Sequence, residues 1–284
     1  MIICLRYQIF IFAALLFVGS IFTSAASASS KETLIMTGTG ASVGAMQLMA
    51  KAFQKKHPGV TVQVLPSIGS TGGIKAVQEG KIDIGLSSRL LKPEERNDGI
   101  IEEPYGRTVF IFGVQDSNPI KGFTLAEIEE IYAGKRKTWS DGTPIRLILR
   151  PLGDAYTTYL SSINPGLKSS SEKAHFIPGV YVGNTDQEAA MQIEKTPGSF
   201  GTTSSSLVAT EKRKIKALSV DGVAPTLSNV STGKYSYAMA LSLVYKRDKY
   251  KGAVKDFMEF VFSREGKKIL SDNGHVNIQR ITGK

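Results

Sequence analysis

Hydrophobic positions along the chain switch between two periods. Short β-rich runs at Leu34–Met36, Val60–Leu65 and Ile82–Leu86 alternate with helical spacing at Ala45–Lys56 and Ile74–Glu79, which predicts a βαβαβ opening. Such alternation builds a parallel sheet covered by helices, with ligands expected in the loops at the carboxyl ends of the strands. Two further apolar runs, Thr108–Val114 and Ala238–Tyr245, lie far apart in sequence and read as a pair of hinge strands that carry the chain into a second lobe and back. Between them, a helix near Thr124–Ala133, a strand at Ile145–Leu149 and helices near Thr157–Ile163 and Asp186–Lys195 give the second lobe its own α/β core. After the return, Ala253–Phe262 and Arg264–Asp272 are predicted helices, the second opened by Ser263 as N-cap with Glu265 in its first turn.

The segment before this pattern decides the compartment. Arg6 is followed by an uncharged apolar run, Tyr7–Phe22, and then by small residues from Thr23 to Ser30, the layout of a secretory signal. The apolar run is short for a membrane span, and Ala26-Ser27-Ala28 predicts cleavage after residue 28. The single cysteine, Cys4, falls in the removed part, so the exported chain is expected to carry neither a disulfide nor a lipid-modified terminus. Removing 28 of the 284 residues leaves 256, enough for two lobes of roughly a hundred residues each. The whole-chain charge of +10 becomes +9 without Arg6, which favours anionic partners. The basic runs Lys135–Lys137 and Glu211–Lys216 lack interleaved aromatics and read as solvated faces, so no nucleic-acid partner is expected.

Three strand-to-helix loops carry candidate chemistry: Thr37-Gly38-Thr39-Gly40-Ala41-Ser42, Gly69-Ser70-Thr71-Gly72-Gly73 and Leu86-Ser87-Ser88-Arg89. Glycines let backbone approach a ligand, hydroxyls donate, and the N-terminus of a following helix presents free N–H groups suited to an anion. Each loop taken singly also fits an ordinary turn with a Ser or Thr cap; the three together point to one anion site.

Here the sequence resembles a known family. Gly69-Ser-Thr-Gly-Gly-Ile-Lys-Ala-Val77, followed by Asp83-Ile-Gly-Leu-Ser-Ser-Arg89, is similar to the paired signature of phosphate-binding periplasmic proteins, and the likeness runs from Thr37 to Ile269 with a weaker middle. The resemblance implies a two-lobed α/β fold of the type II periplasmic-binding-protein class with two hinge strands. It implies lobe one over 31–112 and 235–284, lobe two over 113–234, and a periplasmic monomer that captures phosphate or a related small oxyanion for an ABC transporter permease, without cofactor or catalysis. By the same resemblance Ser42, the Val43 amide, Ser70 and Arg150 fall where the family holds phosphate oxygens, and arginine suits this by its fixed donor fork. Thr71, Ser88, Arg89 and Asp154 complete the candidate ligand set.

Two positions depart from the family pattern. Arg89 stands where phosphate-specific members place an aspartate, and Arg150-Pro-Leu-Gly-Asp154-Ala-Tyr156 replaces the usual Ser-Gly-Thr after the arginine. A carboxylate ~4 Å from a dianion is repelled by roughly 8 kcal/mol at an effective dielectric near 20. Asp154 is therefore expected either to accept the proton of a monohydrogen oxyanion, or to pair with Arg89 or Arg150, or to cap a helix.

Competing readings are an exported sensor or binding module of the same fold for another small anion, and a serine hydrolase using Ser42. Gly40-Ala-Ser42-Val-Gly44 matches a nucleophile elbow, but it follows the first strand, and the candidate base His275 is simply the last histidine in the chain. Gly38–Gly44 is one residue too long for a dinucleotide fingerprint, and Gly69–Lys75 lacks the end of a P-loop. His57, His175 and His275 have no second ligand at metal spacing, so no metal site is expected. Trp139 and Tyr132 read as core or cleft-wall aromatics, and Ser199–Ser206 as a flexible loop whose hydroxyls reach the cleft.

Overall fold

A computed structural model describes residues 31–97 and 99–280 of the protein; the expected leader, with Cys4, lies outside the described residues. The chain opens as β1 (Glu32–Gly38), α1 (Gly40–Lys56), β2 (Val60–Val64), α2 (Gly69–Gln78) and β3 (Ile84–Ser87), and β4 (Ile100–Gln115) follows. In α1 the buried positions Ala45, Met46, Met49, Ala50 and Phe53 lie on one face, while Lys55 and Lys56 close its last turn against the helix dipole. The helix starts five residues before its apolar spacing does, so Gly40–Gly44 form its first turn and not a loop. The glycine-rich run after Ile68 likewise forms the first turn of α2.

The middle of the chain contributes β5 (Gly122–Phe123), α3 (Leu125–Tyr132), β6 (Arg146–Leu149), α4 (Ala155–Ile163), α5 (Pro165–Ala174), β7 (Tyr181–Val182) and α6 (Asp186–Lys195). It continues with β8 (Ser199–Ser204), α7 (Ser205–Glu211), β9 (Ile215–Ala217), β10 (Ser219–Val220) and α8 (Leu227–Ser231). The chain then returns through β11 (Ala238–Lys246), α9 (Gly252–Phe262), α10 (Arg264–Asp272) and β12 (His275–Asn277).

β2, β1 and β3 run parallel, and β11 pairs antiparallel with both β3 and β4. The long β4 is shared: Ile100–Val109 pair with β11, Phe110–Gly113 with β8 and Gly113–Gln115 with β9. Beyond β8, the strands β6 and β7 continue parallel to it. The two expected hinge strands are thus antiparallel neighbours, and the sheet passes through them from one hydrophobic core to another. Leu34, Met46, Phe53, Leu86, Leu243 and Phe257 centre the first core; Phe112, Phe123, Ile131, Trp139, Leu149 and Phe200 centre the second. Trp139 stacks on Phe123 with 5.9 Å between ring centroids, and its indole N–H donates to the Gly198 carbonyl at 3.1 Å.

Two segments differ from expectation. Ser199–Ser204 is a buried strand and not a flexible loop, because its backbone pairs with β4 on one side and β6 on the other. Its hydroxyls find local partners: Ser199 Oγ donates to the Ile193 carbonyl (2.6 Å), and Ser204 Oγ caps α7 by accepting from Leu207 N (3.3 Å). α5 arises from a polar stretch without apolar spacing; Asn164 caps it by accepting from Leu167 N (2.7 Å), and Pro165 presets its first turn.

Candidate functional site

The N-termini of α1 and α2 meet the end of β3, which brings buried hydroxyls from three loops together. Ser70 Oγ accepts from the Ser88 amide at 3.0 Å and lies 3.2 Å from Ser88 Oγ. The Thr39 hydroxyl lies 3.0 Å from Ser88 Oγ and 3.1 Å from Asp186 Oδ2. The Ala41 amide, in the first turn of α1, donates to the same Asp186 oxygen at 2.9 Å. A free N–H at a helix N-terminus holding a carboxylate is the arrangement expected of an anion site.

From the second core comes Arg150, which follows β6 and has its backbone carbonyl held by Thr157 Oγ1 (3.0 Å) and His175 Nε2 (2.8 Å). Its guanidinium donates to the Gly183 carbonyl, to Asp154 Oδ2 at 2.9 Å and to Asp186 Oδ1 at 2.9 Å. Only 2% of the Arg150 side chain and 3% of the Asp186 side chain are exposed, so this cation is desolvated between two carboxylates. Asp154 spends its other oxygen on the Tyr156 amide at 2.9 Å, capping α4. Its geometry is therefore the helix cap paired with arginine.

Asp186 is the carboxylate that meets the converging donors. Burial pushes its carboxyl above the ordinary aspartate value; Arg150 pulls against this shift, and the Asp154 charge adds to it. Tyr156, the sixth residue after Arg150, stays a neutral phenol because burial, and after it the Asp186 charge, raise its pKa far out of reach. Arg150 Nε is buried without a hydrogen-bond partner among the described residues, which leaves one unused donor beside the carboxylates.

The other expected ligand residues lie to either side. Ser42 is buried, and its hydroxyl pairs with Tyr105 Oη at 2.7 Å. Tyr105 is held protonated by burial and cannot serve as a base for Ser42, and burial also pushes the nearby His275 down to about 4. Val43 is buried inside the first turn of α1; the amide that meets Asp186 belongs to Ala41. Arg89 is gripped by both oxygens of Glu95, each at 2.6 Å, and donates to Thr71 Oγ1 at 3.0 Å. Arg150, Ser70 and Ser88 thus join one hydrogen-bonded line through Thr39 and Asp186, whereas Ser42, Thr71 and Arg89 have their own partners. Asp186 escapes a reading of the sequence because Thr185-Asp186-Gln187-Glu188 has the pattern of an ordinary helix start, with Thr185 as N-cap and acidic residues in the first turn.

The PBP superfamily domain matches residues 23–265. The chain belongs to this superfamily. Its relatives include the phosphate-binding protein PstS of Bacillus subtilis (strain 168), 26% identical over 253 residues that cover 87% of this chain and 81% of that protein. Protein SphX of Synechococcus elongatus is 27% identical over 265 residues, covering 84% of this chain and 76% of its own. Among solved structures, that of a phosphate ABC transporter substrate-binding protein with bound phosphate, from Clostridium perfringens, is similar with a TM-score of 0.74 and 26% identity, covering 87% of this chain and all of that one. The two-lobed α/β architecture of these superfamily members is the fold expected from the glycine-rich signatures. Among the described residues, no helix is long and apolar enough to cross a membrane.

Proposed function

We propose that this PBP-superfamily protein is an exported solute-binding component of an ABC importer, capturing phosphate or a related small oxyanion between its lobes. The observation that carries the reading is the convergence of unlike donors on one carboxylate: the Ala41 amide, the Thr39 hydroxyl and the Arg150 guanidinium all meet Asp186. A carboxylate presents two anionic oxygens much as an oxyanion does, and helix N-termini, hydroxyls and arginine forks are the groups that hold such oxygens. The phosphate-binding names of the relatives agree with this chemistry. In this reading lobe one spans 31–112 and 235–284, and lobe two spans 113–234. The oxyanion takes the place of the Asp186 carboxylate, with Ser70 and Ser88 behind Thr39. Arg150 Nε supplies a further donor. Closure of the lobes desolvates the anion, which strengthens each hydrogen bond, and a membrane permease reads the closed monomer.

Calorimetry on ligand-stripped protein with phosphate, sulfate, molybdate and a panel of small organic anions tests the reading. Phosphate or another oxyanion is expected to bind at one site per chain. If no anion binds more tightly than ~1 mM, equivalent to about −4 kcal/mol, the protein is not an oxyanion-capture component.

A further inference from the structure

Asp186 has no local duty in its helix. Thr185 already caps α6, accepting from Glu188 N at 3.1 Å, yet the Asp186 side chain leaves its own element and ends on the first turn of α1. One oxygen is fixed by Arg150 of the second core, and the other by Ala41 and Thr39 of the first. The contact depends on a missing side chain: a Cβ on Gly40 would fall 2.6 Å from Asp186 Cβ and 2.8 Å from its Oδ2. If both acids are ionised, the group Arg150, Asp154 and Asp186 carries one net negative charge, which is unfavourable for an incoming dianion unless a carboxylate leaves.

We propose that Asp186 is an internal competitor for the oxyanion, a tethered carboxylate that latches the two cores together until a ligand displaces it from Ala41, Thr39 and Arg150. The proposal rests on the anion-capture reading for the identity of the displacing ligand, but not for the latch itself. A short tether gives such a competitor an effective concentration on the order of millimolar or above. The affinity measured for a free anion is lowered by the fraction of molecules in which the site is self-occupied. Asp186 therefore sets both the threshold concentration for capture and the selectivity: an anion with one charge and few acceptors gains little over the carboxylate it expels. A tetrahedral oxyanion can recover all of its contacts and engage Arg150 Nε as well.

The test combines small-angle scattering of ligand-free protein with calorimetric titration of inorganic phosphate, on the wild type, Asp186→Ala and Asp186→Asn. Asn keeps the shape of the side chain without its charge and guards against a folding defect in the alanine variant. The latch predicts that ligand-free wild type is compact, that both variants expand, and that both bind phosphate at least tenfold more tightly than the wild type. Variants as compact as the wild type would overturn the latch, and so would phosphate affinity that is unchanged or lowered, since Asp186 would then be a structural ion pair or a group that holds the ligand. If neither wild type nor variants bind phosphate while the variants still expand, phosphate capture fails and the latch stands.

Discussion

His275 lies in the short β12 beside the long shared strand β4, with its ring 6.1 Å from that of Tyr105 and Nδ1 2.9 Å from the Asn273 carbonyl. Burial pushes the imidazole down to about 4, against an ordinary value of 6.5, so the folded protein keeps it neutral where an unfolded chain would protonate it. Between those two values the unfolded chain binds more protons, and stability falls as the pH drops from about 6.5 towards 4. The histidine accounts for roughly 2–3 kcal/mol of that loss. Urea unfolding at a series of pH values should therefore give His275→Gln a flatter profile than wild type over this window, and parallel profiles would show that the imidazole is not the group responsible. At this scale the sequence reveals the site unevenly. Arg150, Ser70 and Ser88 stand out because several hydroxyl-rich strand ends, each an ordinary turn when taken singly, recur together with an arginine at another strand end. Asp186 does not stand out, because it looks like part of a helix start; only the packing of distant elements brings it to the first turn of α1.

Among the elements, α1 meets both α6 and α7 across the two cores. Gly40 faces Asp186, and one turn later Gly44 faces Thr210 in α7, where an added Cβ would lie 2.3 Å from Oγ1 and 2.6 Å from Cβ of the threonine. Glycine inside a helix costs roughly 0.5–1 kcal/mol relative to alanine, so Gly44→Ala would stabilise a solvated helix. Here overpacking should dominate, and chemical denaturation is expected to show a loss of about 1–3 kcal/mol. A stabilised variant would mean that α1 and α7 do not approach this closely in solution. The sequence announces the helices but not their mutual approach. It reads β8 as a loop because its serines and threonines look solvated; their partners, such as the Ile193 carbonyl, belong to neighbouring elements. It passes over α5 because the helix is marked by its cap and its proline and has no apolar stripe.

Over the whole molecule, the alternation of strands and helices and the two separated apolar runs were sufficient to foresee an α/β fold with two connecting strands; that these strands, β4 and β11, pair with each other comes from the structure. What the pattern does not contain is that α6 reaches across to α1, so that the Ala41 amide and the Arg150 guanidinium already share one carboxylate. The central claim is that an oxyanion binds where Asp186 now sits. Titration of isotope-labelled protein with phosphate, followed at the Ala41 amide by heteronuclear NMR, tests it directly. The Ala41 resonance should move saturably, reaching its endpoint at one equivalent, with the Arg150 side-chain Nε–H resonance changing in step. Saturable phosphate binding that shifts other residues while Ala41 and Arg150 stay unmoved would place the anion away from Asp186.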